Sequence, residues 1–206
     1  MFRLISILIG YFIGCIQSAF IVGKFMNVDI RKHGSGNLGS TNALRVLGKR
    51  AGAITFTCDI LKAVIAFALC NYIFKDNIGI AGFYAAVGVV LGHDFPFYLK
   101  FKGGKGIASM IGMMLCIGGT TMMITFAAGI IGLLTKYVSV GSIMFSIAVA
   151  VVGFIMGYPI EIKIIMLVLG ILAVYRHKAN IKRLIDGNEN KLGSKKAQAV
   201  DREVRK

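Results

Sequence analysis

The stretch LISILIGYFIGCIQSAFIVG at residues 4–23 holds twenty positions without a charged side chain. It runs directly into KFMNVDIRKHGSGNLGSTNALRVLGKR at residues 24–50. Crossing the hydrocarbon of a bilayer takes about 20 apolar residues in a helix, so the first stretch reads as a membrane span. A small-residue cleavage site is missing from the place expected of a signal peptide, so the segment is expected to be an anchor. The second stretch is polar, basic and glycine-rich, and reads as the loop that follows the span.

Outward from there the same alternation continues. Apolar runs occupy 51–74, 78–96, 107–117, 121–135, 138–156 and 160–175, with basic blocks between them. The fold expected is all-α: a polytopic membrane helix bundle of seven transmembrane helices. The run at 107–117 is short for a crossing, and the chain breaks at Gly118-Gly119. Five full spans plus a re-entrant pair is therefore the alternative. Both counts are odd and put the termini on opposite sides. Residues 1–185 are read as a single membrane domain and 186–206 as a polar, basic tail; the polar stretch from Arg176 on is expected to be a short helix giving way to disorder.

Composition agrees. Apolar residues make up 56% of the 206-residue chain, yet 24 Lys and Arg against 9 Asp and Glu leave a net charge of +15. Basic chains can bind nucleic acid, but these polar segments have no basic face interleaved with aromatics, so that partner is not expected. Orientation in the membrane and contact with anionic lipids account for most of the lysines. Lys24, Arg31, Lys32, Arg45, Lys49 and Arg50 share one loop; Lys100, Lys102 and Lys105 lie two crossings on, then Lys136, then Arg176, Lys178, Lys182 and Arg183. The opposite loops have little beyond Lys75 and Lys163. The positive-inside rule therefore predicts an outside N-terminus, although Arg3 argues the other way, and a cytoplasmic C-terminus and basic loops. Cys15, Cys58, Cys70 and Cys116 lie in apolar runs without CxxC spacing, as small packing residues do.

Three polar sites carry candidate chemistry. In the first loop, Gly34, Gly36 and Gly39 allow successive N–H groups to turn inward on an anion, and Ser35, Ser40, Thr41, Asn37 and Asn42 add neutral hydrogen-bond partners. Arg45 offers a planar fork that suits phosphate. A flexible loop would share the glycine and serine but not Asn37, Asn42 and Arg45. In the second, Gly103-Gly104-Lys105-Gly106 runs into an apolar helix, which would bring open N–H groups and a lysine to a helix N-terminus. The GxxxxGK[ST] spacing of a nucleotide loop is absent. Positive-inside lysines on glycine hinges would look similar, and His93 and Asp94 suit either acid–base work or capping. The third is RHKANIKRL at 176–184, where His177, Asn180 and Leu184 share one helical face. Within the second apolar run Asp59 and Lys62 stand one turn apart; an internal ion pair is the simplest account, although ionisable groups there are functional candidates.

The runs GSGNLGSTNALR, Asp59-Ile60-Leu61-Lys62, GHDFP followed by FKGGKGIAS, and RHKANIKRL followed by GNE resemble the acyl-phosphate-dependent glycerol-3-phosphate acyltransferase (PlsY) family, in the family's order and across nearly the whole chain. Ser109 and Lys136 stand where threonine and arginine would be expected. The resemblance implies transfer of a fatty acyl group from acyl phosphate to the sn-1 hydroxyl of glycerol 3-phosphate, giving 1-acylglycerol 3-phosphate and phosphate, the first step of phospholipid synthesis. It implies a multi-pass protein of the bacterial cytoplasmic membrane with its active site facing the cytoplasm, working among membrane lipids without cofactor or metal. Under it His177, Ser35 and Lys105 are catalytic candidates. Gly36, Asn37, Gly39, Thr41, Arg45, Gly103, Gly104 and Asn180 are substrate-binding candidates. Ser35 and its neighbours would hold the acyl phosphate; Arg45, Lys105, His177 and Asn180 would hold glycerol 3-phosphate. The HxxxxD pattern of other glycerophosphate acyltransferases is missing, since Leu38, Tyr98 and Lys182 stand five residues after the three histidines. A transporter would also use basic, glycine-rich sites, but would place polar groups at the bilayer midplane and show repeated halves; beyond Asp59 neither is evident.

The charge asymmetry makes a direct prediction. A cysteine placed in the 24–50 loop should react with an impermeant thiol reagent only in opened or inverted vesicles. Labelling in intact cells would reverse the orientation.

Overall fold

Residues 1–192 are described by the computed structural model, and all their regular structure is helical. The α-helices are α1 (Phe2–Gly14), α2 (Ser18–Phe25), α3 (Ser40–Val46), α4 (Lys49–Ile73), α5 (Ile80–Asp94), α6 (Ile107–Ile117), α7 (Gly119–Leu133), α8 (Val138–Ile155), α9 (Ile160–Arg176) and α10 (Lys178–Ile185). Helices α4 to α9 fall on the apolar runs, their ends moved by a few residues. Four helical stretches are long and apolar enough to cross a membrane: Phe2–Phe25, Lys49–Ile73, Ile80–Leu99 and Val138–Ile155. Helices α6 and α7 are shorter and apolar. Large apolar side chains such as Leu8, Ile65, Ile131, Val151, Val168 and Ile171 stand exposed along the outer faces, as in helices solvated by lipid. The disorder expected at the end of the tail lies outside the described residues.

The first apolar run is not the unbroken span its composition suggests. Helix α1 stops at Gly14, and α2 starts at Ser18 after an extended Gln17. Breaking a helix frees carbonyls, which in an apolar setting must find donors. Here side chains supply them. Lys62 Nζ donates to the carbonyls of Gly14 (3.2 Å) and Ile16 (2.9 Å), and the Tyr98 hydroxyl donates to Cys15 O (2.8 Å). Gln17 Nε2 in turn donates to His93 O at 3.0 Å, tying the break to the end of α5.

By contacts the chain divides into two compact units, the described parts of which are Met1–Met113 and Met114–Leu192. In the first, α1 lies along α5 in parallel: Gly10 faces Ala85, and Gly14 faces Val89. Gly88 and Gly92 return the contact against Ile7 and Tyr11. Both helices thus present a small-xxx-small face, which lets backbones approach where no hydrophobic driving force separates protein from lipid. Helix α4 runs antiparallel to α5, with Phe67 beside Gly82 and Lys62 beside His93. The direction of these three helices puts the 24–50 loop and the 97–106 loop at the same end of the unit. Ala63, Ala66 and Cys70 of α4 pack with Ala81, Ala85 and Val89 of α5 to form its core. A second cluster, Ala19, Ile30, Leu38, Ala43, Val46 and Leu47, lies under the glycine-rich loop.

In the second unit α7 and α8 form an antiparallel pair, Gly132 against Gly141 and Phe126 against Phe145. Helix α9 returns along α8, with Gly170 on Ala150 and Gly153 on Met166. A break at His177 then starts the amphipathic α10.

The glycine seams can be compared directly. Gly14→Ala would drive a Cβ into the Val89 backbone, whereas at Gly129 a Cβ would sit 3.4 Å from Phe145 Cβ, an ordinary contact. Thermal melting in detergent should show Gly14→Ala destabilised by about 1–3 kcal/mol or more, the cost of overpacking. Gly129→Ala should be neutral or stabilising by up to about 1 kcal/mol, the helix preference of alanine over glycine.

Candidate active site

The 24–50 loop is built, not loose. Asp29 caps the short turn Ile30–Lys32 and grips Arg31 with both oxygens, at 2.8 and 3.0 Å. That hydrogen bonding from Arg31 holds the Asp29 carboxyl at about 2. Ile30 and Leu38 are fully buried and pin the loop at two points. Between them Gly34 and Gly36 take left-handed backbone, with φ of 61° and 68°. Asn42 organises the turn from within: its Oδ1 accepts from the Ser35 N–H at 2.9 Å, and its Nδ2 donates to His33 O at 3.2 Å. Ser35 is left exposed, Thr41 and Arg45 half-buried, and Gly39 precedes α3 without a side-chain cap.

The second loop folds back on the end of α5. The N–H of Gly103 donates to Asp94 O at 3.1 Å and that of Gly104 to His93 O at 3.0 Å. The sequence had suggested that these two groups would stand open to an anion; they are engaged within the protein instead. Nor does either residue use a positive φ; Gly106 does, at 72°. Glycine is needed at 103 and 104 for close approach, because a Cβ at Gly103 would overlap His93 O and one at Gly104 the His93 ring. Lys105 follows, half-buried, before α6 begins.

Asn37 joins the loops. Its Nδ2 donates to Gly103 O at 3.2 Å. The first unit therefore brings Ser35, Gly36, Asn37, Gly39, Thr41 and Arg45 and the Gly103–Gly106 turn to one end of the molecule.

Beneath them lies a buried polar group. Asp59 Oδ1 accepts from Lys62 Nζ at 2.8 Å and from Ser18 Oγ at 2.9 Å. Lys62 also meets His93 Nδ1 at 2.8 Å, so the ion pair that spacing suggested carries an imidazole as well. Ser109 Oγ donates to Asp59 O at 3.3 Å and fastens the first turn of α6 to α4.

In the second unit His177 is buried, and its Nδ1 lies 2.7 Å from Ala173 O. A carbonyl only accepts, so Nδ1 carries a hydrogen and Nε2 is the ring atom left to exchange a proton. Asn180 Nδ2 donates to Glu189 Oε1 at 2.9 Å, joined by Ser139 Oγ at 3.2 Å; Arg183 Nε meets Oε2 at 2.7 Å. Burial would raise the Glu189 pKa, but the donors Asn180, Arg183 and Ser139 and the charge of Arg183 outweigh it and hold the group below the ordinary carboxylate value. Gly187, at φ 68°, turns the chain back so that Glu189 can enter. Lys136 stays exposed, and its carbonyl accepts from Leu192 N–H at 2.8 Å. Among the described residues no group of three or more His, Cys, Asp or Glu side chains is placed to hold a metal.

Sequence reasoning gave no role to Glu189, which closes the GNE motif, and passed over Gln17. The signal for Glu189 was an acid two residues after Gly187, near Asp186, in a segment that is otherwise basic. For Gln17 it was a single amide inside an apolar run.

Residues 4–187 match the family model described as glycerol-3-phosphate acyltransferase. Among curated relatives, the glycerol-3-phosphate acyltransferase of Thermoanaerobacter sp. (strain X514) is 44% identical over 197 residues, 95% of this chain and 98% of that one. The Clostridioides difficile (strain 630) protein of the same name is 42% identical over 199 residues, 94% of this chain and 97% of that one. The crystal structure of PlsY (YgiH), an integral membrane glycerol 3-phosphate acyltransferase, in its glycerol 3-phosphate form, superposes with a TM-score of 0.85 at 33% identity, covering 93% of this chain and 96% of that one. Its lysophosphatidic acid form gives 0.82 at 32% identity, with 96% and 98% covered. The glycine-rich loops, the buried ion pair and the His177–Glu189 segment thus lie within a match of nearly full length, and the chain belongs to the glycerol-3-phosphate acyltransferase family.

Proposed function

We propose that this membrane acyltransferase takes its acyl group from acyl phosphate and delivers it to the sn-1 hydroxyl of glycerol 3-phosphate, releasing phosphate and 1-acylglycerol 3-phosphate. The observation that carries the reading is the Asn37–Gly103 hydrogen bond, which draws two glycine-rich, basic loops together at one end of the first unit. Two phosphate groups need two such places. We assign Ser35, Gly36, Asn37, Gly39 and Thr41 to the acyl phosphate. Arg45 and Lys105 are assigned to the phosphate of glycerol 3-phosphate, and His177 and Asn180 to the same substrate. Gly103 and Gly104 serve it through backbone shape, because their N–H groups are already engaged.

Acyl phosphate is a mixed anhydride, so its phosphate leaves readily and the protein has mainly to position and to stabilise charge. The glycerol hydroxyl oxygen bonds to the acyl carbon, and the acyl C–O bond to phosphate breaks with its electron pair going to phosphate. The hydroxyl proton passes to a phosphate oxygen or, as second choice, to His177 Nε2. No covalent enzyme intermediate is required. We assign the chain seven crossings, or five with a re-entrant pair, with the N-terminus outside and the catalytic loops facing the cytoplasm. The protein then belongs in the bacterial cytoplasmic membrane, one acyltransferase domain over 1–185 with a basic tail after it.

The donor is tested with purified protein. Activity should require acyl phosphate, persist in EDTA and fail with acyl-CoA; efficient transfer from acyl-CoA or loss in EDTA would sink this donor assignment. The acceptor contacts are tested by substitution. A charge-assisted hydrogen bond contributes about 1.5–3 kcal/mol, so Lys105→Met and Arg45→Gln should each lower kcat/KM for glycerol 3-phosphate roughly tenfold to a hundredfold. Lys136→Met, on an exposed turn, should change it little. Equal losses in all three would mean a diffuse basic surface rather than discrete contacts.

A further inference from the structure

The acyl transfer proposed above makes no use of Asp59, Lys62 and His93, which are 1%, 5% and 3% exposed in the first unit. Their contacts point from the helix break to the glycine turn. At one end, Lys62 holds the carbonyls of Gly14 and Ile16 and is itself held by Asp59 at 2.8 Å. At the other, the same ammonium sits 2.8 Å from His93 Nδ1. An ammonium only donates, so against charged Lys62 the Nδ1 atom accepts and the ring hydrogen lies on Nε2; Asp59 Oδ1 stands 3.6 Å from the same Nδ1. Nε2 is the atom a Cβ on Gly104 would meet first. The main chain repeats the link, with Gly104 N–H donating to His93 O and Gly103 N–H to Asp94 O. Orientation and tautomer of His93 are therefore set from below by Lys62, and its ring forms the floor under the turn that carries Lys105.

We propose that Asp59, Lys62 and His93 are a positioning relay for the acyl transfer, holding the Gly103–Gly104 turn so that Lys105 meets the phosphate of the acceptor. This rests on the assignment of Lys105 to glycerol 3-phosphate. The relay touches no substrate; it acts through geometry, where a displacement of about 1 Å can cost on the order of a hundredfold in rate. An ion pair that only holds helices together would lower stability without changing how the acceptor is bound.

The test is a mutant cycle in the purified full-length protein, with kcat and KM for glycerol 3-phosphate measured at saturating acyl phosphate and melting followed in parallel. His93→Ala should raise KM by about tenfold or more. His93→Asn, whose Oδ1 can accept from Lys62 in place of Nδ1, should recover most of that. Lys105→Met alone should raise KM, and adding His93→Ala to it should do little more, because the side chain being positioned is gone. Gly104→Ala, which sets a Cβ against the intact ring, makes the same comparison should His93→Ala not survive purification. Unchanged KM in His93→Ala with only a lower melting temperature would overturn the relay, as would full multiplication of its effect on top of Lys105→Met. An unchanged KM in Lys105→Met alone would instead overturn the Lys105 assignment, and with it the relay's target.

Discussion

The ammonium group of Lys62 is the contact on which the first unit depends. It lies in a gap between two helices that one apolar run would otherwise have made continuous, and it donates to carbonyls the gap exposes. A buried ammonium costs several kcal/mol in lost hydration. The carboxylate of Asp59 and the two carbonyls together offset that cost. Because Lys62 also fixes the His93 ring, the same group decides where α1 stops and where the 97–106 loop turns.

From this follows a loop arrangement that is rigid for reasons other than regular structure. Ile30 and Leu38 anchor the first loop in apolar packing, and Asn42 replaces the hydrogen bonds that a turn of helix would have given. The second loop is anchored by backbone bonds to the end of α5. Preorganisation of this kind would suit the acyl-phosphate reaction proposed above, in which most of the barrier is a matter of placing reactants and charges.

The second unit uses a different device for the same end. Glu189 reaches back from beyond α10 and gathers Asn180, Arg183 and Ser139. Placing one carboxylate among these donors fixes the face of α10 that carries Asn180, while His177 is fixed by its own helix through Ala173 O.

Much was legible in the sequence because it depends on local composition. Apolar runs of span length, the short segment at 107–117, the one-turn spacing of Asp59 and Lys62, and the three polar motifs in order can all be read from neighbours along the chain. Tertiary structure alone decided the helix break at Cys15–Gln17, the partnering of Lys62 with His93, the engagement of the Gly103 and Gly104 N–H groups, and the return of Glu189. Each joins residues more than a helical turn apart, some of them on different helices, and hydrogen-bonding capacity in a sequence does not say which partner takes it up. A glycine pair can free its N–H groups for an anion or bring its backbone against an imidazole. At Gly103-Gly104 the choice fell to the packing of His93, set from a helix thirty-one residues earlier by the lysine beneath it.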